Sequence, residues 1–587
     1  MAKIKRRLKR RLKKKLTEQE KEQRQQRQEI RRLLHNIGFS RAPGISGKEF
    51  VYDGRTSEID DAFHYENILL LVEYTTAVNP GDHLIKKKII FDKINDSHIK
   101  FIEFLLNDSR FTKFSEYFKT SALNNYTQKQ IQLRILYCSR HPISKEHQAQ
   151  INNVRLLNYP IVKYFERIAK AIKRSARYEF FEFLKTDYNK FGENITRGRL
   201  GGNTKFSGHI LPEEHSNYKD GYKIISFYID ADSLMRYAYV FRRDGWNNVG
   251  TIGFYQRMFS ADKIFKMRKY LYDKDRVFVN NIIAVLPKEK IKLYDKHKNE
   301  IRVNKEGDFE TNDTTSVQPA EVEIDNATNI IGIVDGQHRL YSYHEGNDKF
   351  EEKISKLRKV QNLLVTGILY PKTEDAEKKL KFEAELFLEI NSNQTNAASE
   401  LKQEIELMIR PFSSTSVAKS ILNKLNESGP LENFFEQHFY EKGRLKTASI
   451  ISYGLKPLVK FDGDDSLYKM WTHSDKNSLD KHDNYALLSA YKEFCADEIR
   501  KIFIGFKANV APDLWSSERL NPDGILRVTA INGIINCLRL LIKGNKTGDK
   551  DYYKKKLKGI EKFRFKDYKS SQYRKMGETI YQQFFNE

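Results

Sequence analysis

Apolar positions change their period several times along the chain, and each change marks an element. Ile4, Leu8, Leu12 and Leu16 recur every four residues, forming one ridge on an otherwise cationic helix. The segment continues through TEQEKEQRQQRQEIRRLL to His35 without glycine or proline, which predicts one long N-terminal helix. Ile68-Leu69-Leu70-Leu71-Val72 is a short continuous apolar run of the buried-strand kind, and the stretch from Ile59 to Phe63 can pair with it across His64-Tyr65-Glu66-Asn67. Between Tyr222 and Pro287, β-rich runs (YKIISFYID, VFVNNIIAVLP) alternate with a helical stretch around SADKIFKMRKYLY. Residues 296–328 carry few large apolar side chains and many turn formers, and predict a surface insertion or flexible loop. Ile330 to Val334 reads as another buried strand, Leu340, Tyr341, Tyr343 and His344 open a helical pattern, and amphipathic helices dominate from about residue 398.

The expected fold class is therefore α/β (α+β), divided as a basic N-terminal helix (1–35), an αβ domain (36–200), a second domain (205–405) with the insertion 296–328, and a helical, basic C-terminal region (406–587). A chain of 587 residues is too long for one ordinary core.

Charge changes the picture more than composition does. Lys and Arg number 103 against 78 Asp and Glu, a formal net charge of +25, and ten of the first fifteen residues are Lys or Arg. A polyanionic partner, nucleic acid or phosphate, is the economical reason for such an excess. The C-terminal stretch from Tyr552 to Lys575 interleaves aromatics with lysines, a composition that suits base stacking but reads more readily as a helical cap with its aromatics facing the core. Three scattered cysteines, Cys138, Cys495 and Cys537, support neither a disulfide framework nor a zinc site. No apolar stretch reaches membrane-span length and no signal-peptide core is present, so the expected location is the cytoplasm, without a membrane partner.

Two constellations carry chemistry. In SEIDDAFHYENILLLVEYTT, Asp60 and Glu73 stand on adjacent strands, thirteen residues apart, and two such carboxylates can share a hard divalent cation, Mg2+ or Mn2+. An acid interrupting an apolar strand, as Glu73 does, usually has a partner. The pattern resembles the PD-(D/E)XK nuclease superfamily, whose hairpin carries Asp and then (Glu or Asp)-X-Lys. Here Thr75 stands at the Lys position, a departure from the family; HLIKKK (83–88) follows and could bring Lys87, or Lys86 or Lys88, into the vacant place. Glu29, upstream, matches the family's helical Glu loosely. The resemblance implies a restriction-endonuclease-like domain with Asp60 and Glu73 as metal ligands and Lys87 and Glu29 as further catalytic candidates.

The second constellation is IIGIVDGQHRL (330–340), in which Asp-Gly-Gln-His-Arg occupies a strand-to-helix turn. Gly336 lets a ligand approach the backbone, Arg339 can fork two phosphate oxygens, His338 is a second donor or an acid/base, and Asp335 can cap the helix or hold a metal. The residues read equally well as a capped helix with its Arg paired to a local carboxylate. With Phe254-Tyr255-Gln256-Arg257 upstream and ELFLEINSNQTNAAS (385–399) downstream, the stretch 205–405 resembles the DGQHR-domain family, whose DndB-type members are associated with DNA phosphorothioate modification and whose fold is similar to ParB and sulfiredoxin. Gln337 stands where sulfiredoxin has its cysteine, which argues against sulfinic acid repair. What the resemblance implies is binding of ATP or another nucleoside triphosphate by Asp335, Gly336, Gln337, His338 and Arg339, with Gln256, Arg257 and Asn391 nearby.

Together the two resemblances imply a DNA-directed, nucleotide-regulated and Mg-dependent nuclease working with other proteins of a DNA-modification or defence system, as a homo-oligomer. The rival expectations are a non-catalytic DNA-binding transcriptional regulator and an NTPase, hence ATPase activity, without cleavage.

Overall fold

Thr17 and Glu20 decide where the first helix starts. The Thr17 hydroxyl accepts from the Glu20 amide and the Glu20 carboxylate accepts from the Thr17 amide, a reciprocal cap that opens α1 (Glu18–Asn36). The helix expected to run unbroken from the basic leader therefore has its own N-terminus at Thr17; the T-x-x-E signal lay in TEQE. The computed structural model describes residues 16–192, 204–212, 222–239, 260–302, 315–370, 376–392, 399–437 and 440–586.

The chain divides into two compact units, 1–252 with 259–372, and 253–258 with 373–587, which places 373–405 with the helical part. The first unit is mixed α/β. After α1 come β1 (Ser40–Ala42), a separate hairpin of β2 (Lys48–Tyr52) and β3 (Arg55–Ile59), then β4 (Asp61–Tyr65) and β5 (Ile68–Thr75). The connection between β4 and β5 is tighter than the pattern suggested, only Glu66 and Asn67, with Glu66 in the left-handed region at φ 49°. Helices α2 (Pro80–Asp96), α3 (His98–Asn107) and α4 (Thr112–Ser121) form a crossover to β6 (Gln132–Ser139); α5 (Lys145–Ala149) leads to β7 (Val154–Asn158), and α6 (Tyr159–Ile172) and α7 (Arg177–Leu184) follow.

These strands make a five-stranded sheet ordered β1-β4-β5-β6-β7, antiparallel from β1 to β5 and parallel from β5 to β7. A strand with a parallel neighbour is normally covered on both faces, and all eight residues of β5 are buried. Leu69 and Leu71 join a core with Leu84, Ile90 and Phe91 of α2, so α2 lies on their face. Helix α1 covers the end of the sheet differently, through Gln26, whose Nε2 donates to the carbonyls of Thr75 (3.0 Å) and Cys138 (3.1 Å) and so ties β5 to β6.

An eight-stranded sheet follows, ordered β10-β14-β11-β15-β9-β8-β13-β12, from β8 (Lys205–Ile210), β9 (Lys223–Asp230), β10 (Ala238–Tyr239), β11 (Ile282–Pro287), β12 (Ile291–Tyr294), β13 (Gln318–Ile324), β14 (Ile331–Asp335) and β15 (Asn362–Tyr370). Strand β13 lies inside the stretch expected to be a loop. Its alternation was present, with Ala320, Val322 and Ile324 buried and Glu321 and Glu323 between them, but proline and glutamates masked it. Cross-strand charge compensates the glutamates, for Lys205 on β8 pairs with Glu321 at 2.8 Å.

One buried cation organises the segment after β14. Arg268, on the helix Ala261–Lys274, has no solvent exposure; it donates to the carbonyls of Ser342 (3.1 Å) and His344 (2.7 Å) and pairs with Asp348 (2.9 Å) and Glu351 (2.5 Å). Arg358 adds bonds to Tyr343 and His344 carbonyls. The same segment meets the first sheet's helices through Glu345, whose carboxylate pairs with Arg177 at 2.5 Å.

The second unit is helical. Helices Ser414–Glu427, Tyr485–Ala508, Val528–Lys543 and Tyr573–Phe584 share a core that includes Leu422, Tyr491, Phe503, Ile534 and Leu538. Gly533 and Gly577 allow the last two of these to touch, since a Cβ at Gly577 would lie 2.6 Å from the Gly533 carbonyl oxygen. In the basic C-terminal stretch Tyr553 and Phe565 belong to this core. No helix among the described residues is long and apolar enough to cross a membrane.

Removing a buried charge's partner costs about 3–5 kcal/mol. Arg268→Leu is expected to lower the unfolding free energy of the first unit by about that amount, read as a drop in the urea midpoint.

Candidate functional site

Asp60 immediately precedes β4 and Glu73 follows Val72, the β5 residue that pairs with Asp61, so the hairpin brings the two carboxyl groups to one end of the sheet. Both are buried, and each has a cation. Arg27 of α1 donates to Asp60 Oδ1 at 2.5 Å, and the Tyr74 amide donates to Asp60 Oδ2 at 2.9 Å. Burial pushes Asp60 upward despite these contacts.

Lys87 of α2 is the cation beside Glu73. Its Nζ lies 2.8 Å from Glu73 Oε1 and donates to the Glu58 carbonyl at 3.3 Å. Residues 73 and 75 point to one face of β5, the face on which α2 packs, so a lysine from α2 can reach Glu73. Even so, burial dominates: it raises Glu73 to about 7, with the Asp60 charge adding to the rise and Lys87 opposing it. Lys88 instead pairs with Asp92 within α2.

Three further residues complete the arrangement, and sequence reasoning missed them. His83 stands one helical turn before Lys87, with Nε2 3.8 Å from Glu73 Oε1; the i,i+4 spacing of His83 and Lys87 was the available signal. The Tyr137 hydroxyl donates to the Pro80 carbonyl (2.8 Å), which assigns the proton between Tyr137 and His83 Nδ1 (2.9 Å) to the histidine and leaves Nε2 bare toward Glu73. Burial lowers His83, in keeping with a neutral ring. Tyr137 faces Glu73 in the β5–β6 register, 64 residues later in the chain, a parallel pairing that no local pattern announces. Arg27 is the third.

Glu29 stands apart from this group. It pairs with Lys163 (3.2 Å) of α6 and Arg140 (3.5 Å), a set of charges on the other side of α1 from Arg27's contact with Asp60. Among the described residues no three His, Cys, Asp or Glu side chains converge as a metal cluster.

The DGQHR turn is closed on itself. Gly336, at φ 94°, caps the helix Gln337–Tyr341, and a Cβ there would come within 2.9 Å of the Arg339 guanidinium. Arg339 Nη2 donates to Asp335 Oδ2 (2.9 Å) and to the Asn281 carbonyl (2.8 Å). Asp335 thus pairs with Arg339, the local carboxylate of the alternative reading, and does not cap the helix, one of the roles left open to it. His338 accepts from the Ser260 amide through Nε2 at 3.2 Å; burial, with Lys263 nearby, lowers it to about 4, so the ring is neutral at pH 7 and is an acceptor. Gln337 opens the helix. Gln256 and Arg257 lie outside the described residues, and Asn391 falls in the helix Ala376–Ser392 of the second unit.

Compared with family models, with curated proteins and with solved structures, the chain matches none.

Glu73 gives a pH test. With its folded value raised from 4.5 to about 7, the folded chain keeps a proton that the unfolded chain releases, so the site's contribution to stability is full at low pH and is lost as pH rises through about 7. Glu73→Gln is expected to abolish this slope, gaining on the order of 2–3 kcal/mol over wild type between pH 5 and pH 8 in urea unfolding. Lys87→Met shifts the slope to higher pH.

Proposed function

We propose that the chain is a DNA-directed, metal-dependent nuclease whose activity is governed by a nucleoside triphosphate at the DGQHR turn. The observation that carries this reading is the contact between Lys87 and Glu73, which supplies from α2 the cation that the PD-(D/E)XK pattern lacks at Thr75. The sheet supports it as well, since an antiparallel hairpin bearing Asp60 and Glu73 continues into parallel strands, an arrangement that suits the restriction-endonuclease-like fold.

Asp60 and Glu73 fit one hard cation by donor chemistry: two oxygen ligands, electrostatically coupled, with Glu73 raised to about 7 by burial and by the Asp60 charge. Bound there, Mg2+ or Mn2+ would polarise a phosphodiester and lower the pKa of its water. The chain's own residues do the rest. Lys87 places an ammonium beside Glu73, where it can pair with a phosphate oxygen of the substrate. His83 Nε2 is unprotonated and adjacent, able to take a proton. Arg24, Arg27 and Arg31 line an open groove on α1, and DNA backbone lying there would meet Arg27 at Asp60.

At the DGQHR turn, a triphosphate would draw Arg339 away from Asp335, and that exchange is the switch in this reading. The Arg27 contact favours a second reading: it occupies one Asp60 oxygen, as in a DNA-binding regulator that does not cut.

Supercoiled plasmid in Mg2+ or Mn2+ separates the two. On the nuclease reading, wild type nicks it, and Glu73→Gln and Lys87→Ala each slow nicking by about 100-fold or more. Thr75→Lys added to Lys87→Ala restores part of the rate. Nicking unchanged in Glu73→Gln and Asp60→Asn assigns the cleavage elsewhere; binding of plasmid without nicking leaves the regulator.

A further inference from the structure

A cavity of about 340 Å3 lies within the first unit where the C-terminal ends of α1 and α6 meet the segment that follows the DGQHR helix. Its cations are Arg32 of α1, Lys170 of α6, and Lys173 and Arg174 just beyond, with the His35 ring of α1 beside them. Arg32 is bound to Glu166 (3.3 Å), which also pairs with Lys163, and Arg174 reaches Glu345 (3.4 Å). His35, Lys170 and Lys173 have no ion pair among the described residues. We propose that this cavity binds a small phosphorylated ligand of mononucleotide size.

Helix C-termini attract cations without any ligand, so the charges alone decide nothing. Two other features do. Lys173 is held at φ 48°, ψ −127°, a conformation that disfavours any residue but glycine, yet a half-buried lysine occupies it at the cavity wall; such strain persists where the surroundings impose it, and it gathers at functional positions. The wall opposite is preformed: the Arg174 amide donates to the Glu345 carbonyl (3.2 Å) and the Glu345 amide donates to Ser175 Oγ (2.9 Å), fixing Gly346 and Asn347 at the cavity. Leu33 and Ala169 add an apolar patch and Asn36 and Asn347 add amides, so the lining offers cations for phosphate, a surface for a base and groups to meet its edge. The inference stands whether or not Asp60 and Glu73 cleave DNA.

Isothermal titration of inorganic phosphate, pyrophosphate, AMP and ADP into the full chain tests it, comparing wild type with Lys170→Gln, Lys170→Glu/Lys173→Glu and Arg339→Ala. The expected result is saturable binding of at least one probe that is retained in Arg339→Ala, weakened about tenfold in Lys170→Gln and abolished in the double variant. Equal affinity for pyrophosphate and ADP identifies a site that reads phosphate alone, and tighter ADP binding one that reads the nucleoside too. Thermal unfolding of each variant confirms that it is folded. The proposal is overturned if no probe binds wild type, or if folded Lys170→Gln binds as tightly as wild type.

Discussion

An acid buried in an apolar strand needs a cation, and at Glu73 that cation comes from another element. Strand β5 is buried along its whole length because it is the hinge between antiparallel and parallel halves of its sheet, so a carboxylate on it cannot reach water. Lys87 at 2.8 Å offsets the burial in part, and it can do so because the apolar core packs α2 on that face of β5 and the β5–β6 register sets Tyr137 beside Glu73. The compensation is incomplete, as the upward shift of Glu73 to about 7 records. A carboxyl group left near neutrality beside Asp60 is poised for a further positive charge.

The DGQHR turn solves its electrostatics in the opposite way. Asp335 and Arg339, four residues apart, satisfy one another, and Gly336 provides the backbone freedom that lets the guanidinium fold back. The ring of His338 is neutral and committed to an amide. Behind the turn, Arg268 and Arg358 clamp the carbonyls of Ser342, Tyr343 and His344, so movement at Arg339 would be felt by a segment that also carries Glu345 and contacts the helices of the first sheet.

Much of this was legible in the residues. The β4–β5 hairpin followed from an apolar run that ends at an acid, whereas the candidacy of Lys87 came only from the family resemblance, which left Lys86 and Lys88 equally open. The strand before DGQHR was legible from its apolar run too. What could not be read was whatever depends on distant pairing. Tyr137 reaches Glu73 only through a parallel crossover, and Gln26 locks β5 to β6 across 49 and 112 residues. The strand Gln318–Ile324 was hidden because its outward glutamates and Pro319 look like a loop until Lys205 and its neighbouring strands are in place. The start of α1 was misjudged for a different reason: a capping box outweighs a continuous run of helix formers.

On the proposed reading Asp60 and Glu73 hold a divalent cation beside Lys87. Electron paramagnetic resonance of Mn2+ titrated into the full chain decides it: the expected result is a bound Mn2+ population that is lost in Glu73→Gln and kept in Arg339→Ala. Equal Mn2+ binding by wild type and Glu73→Gln, or no bound Mn2+ in wild type, would contradict it.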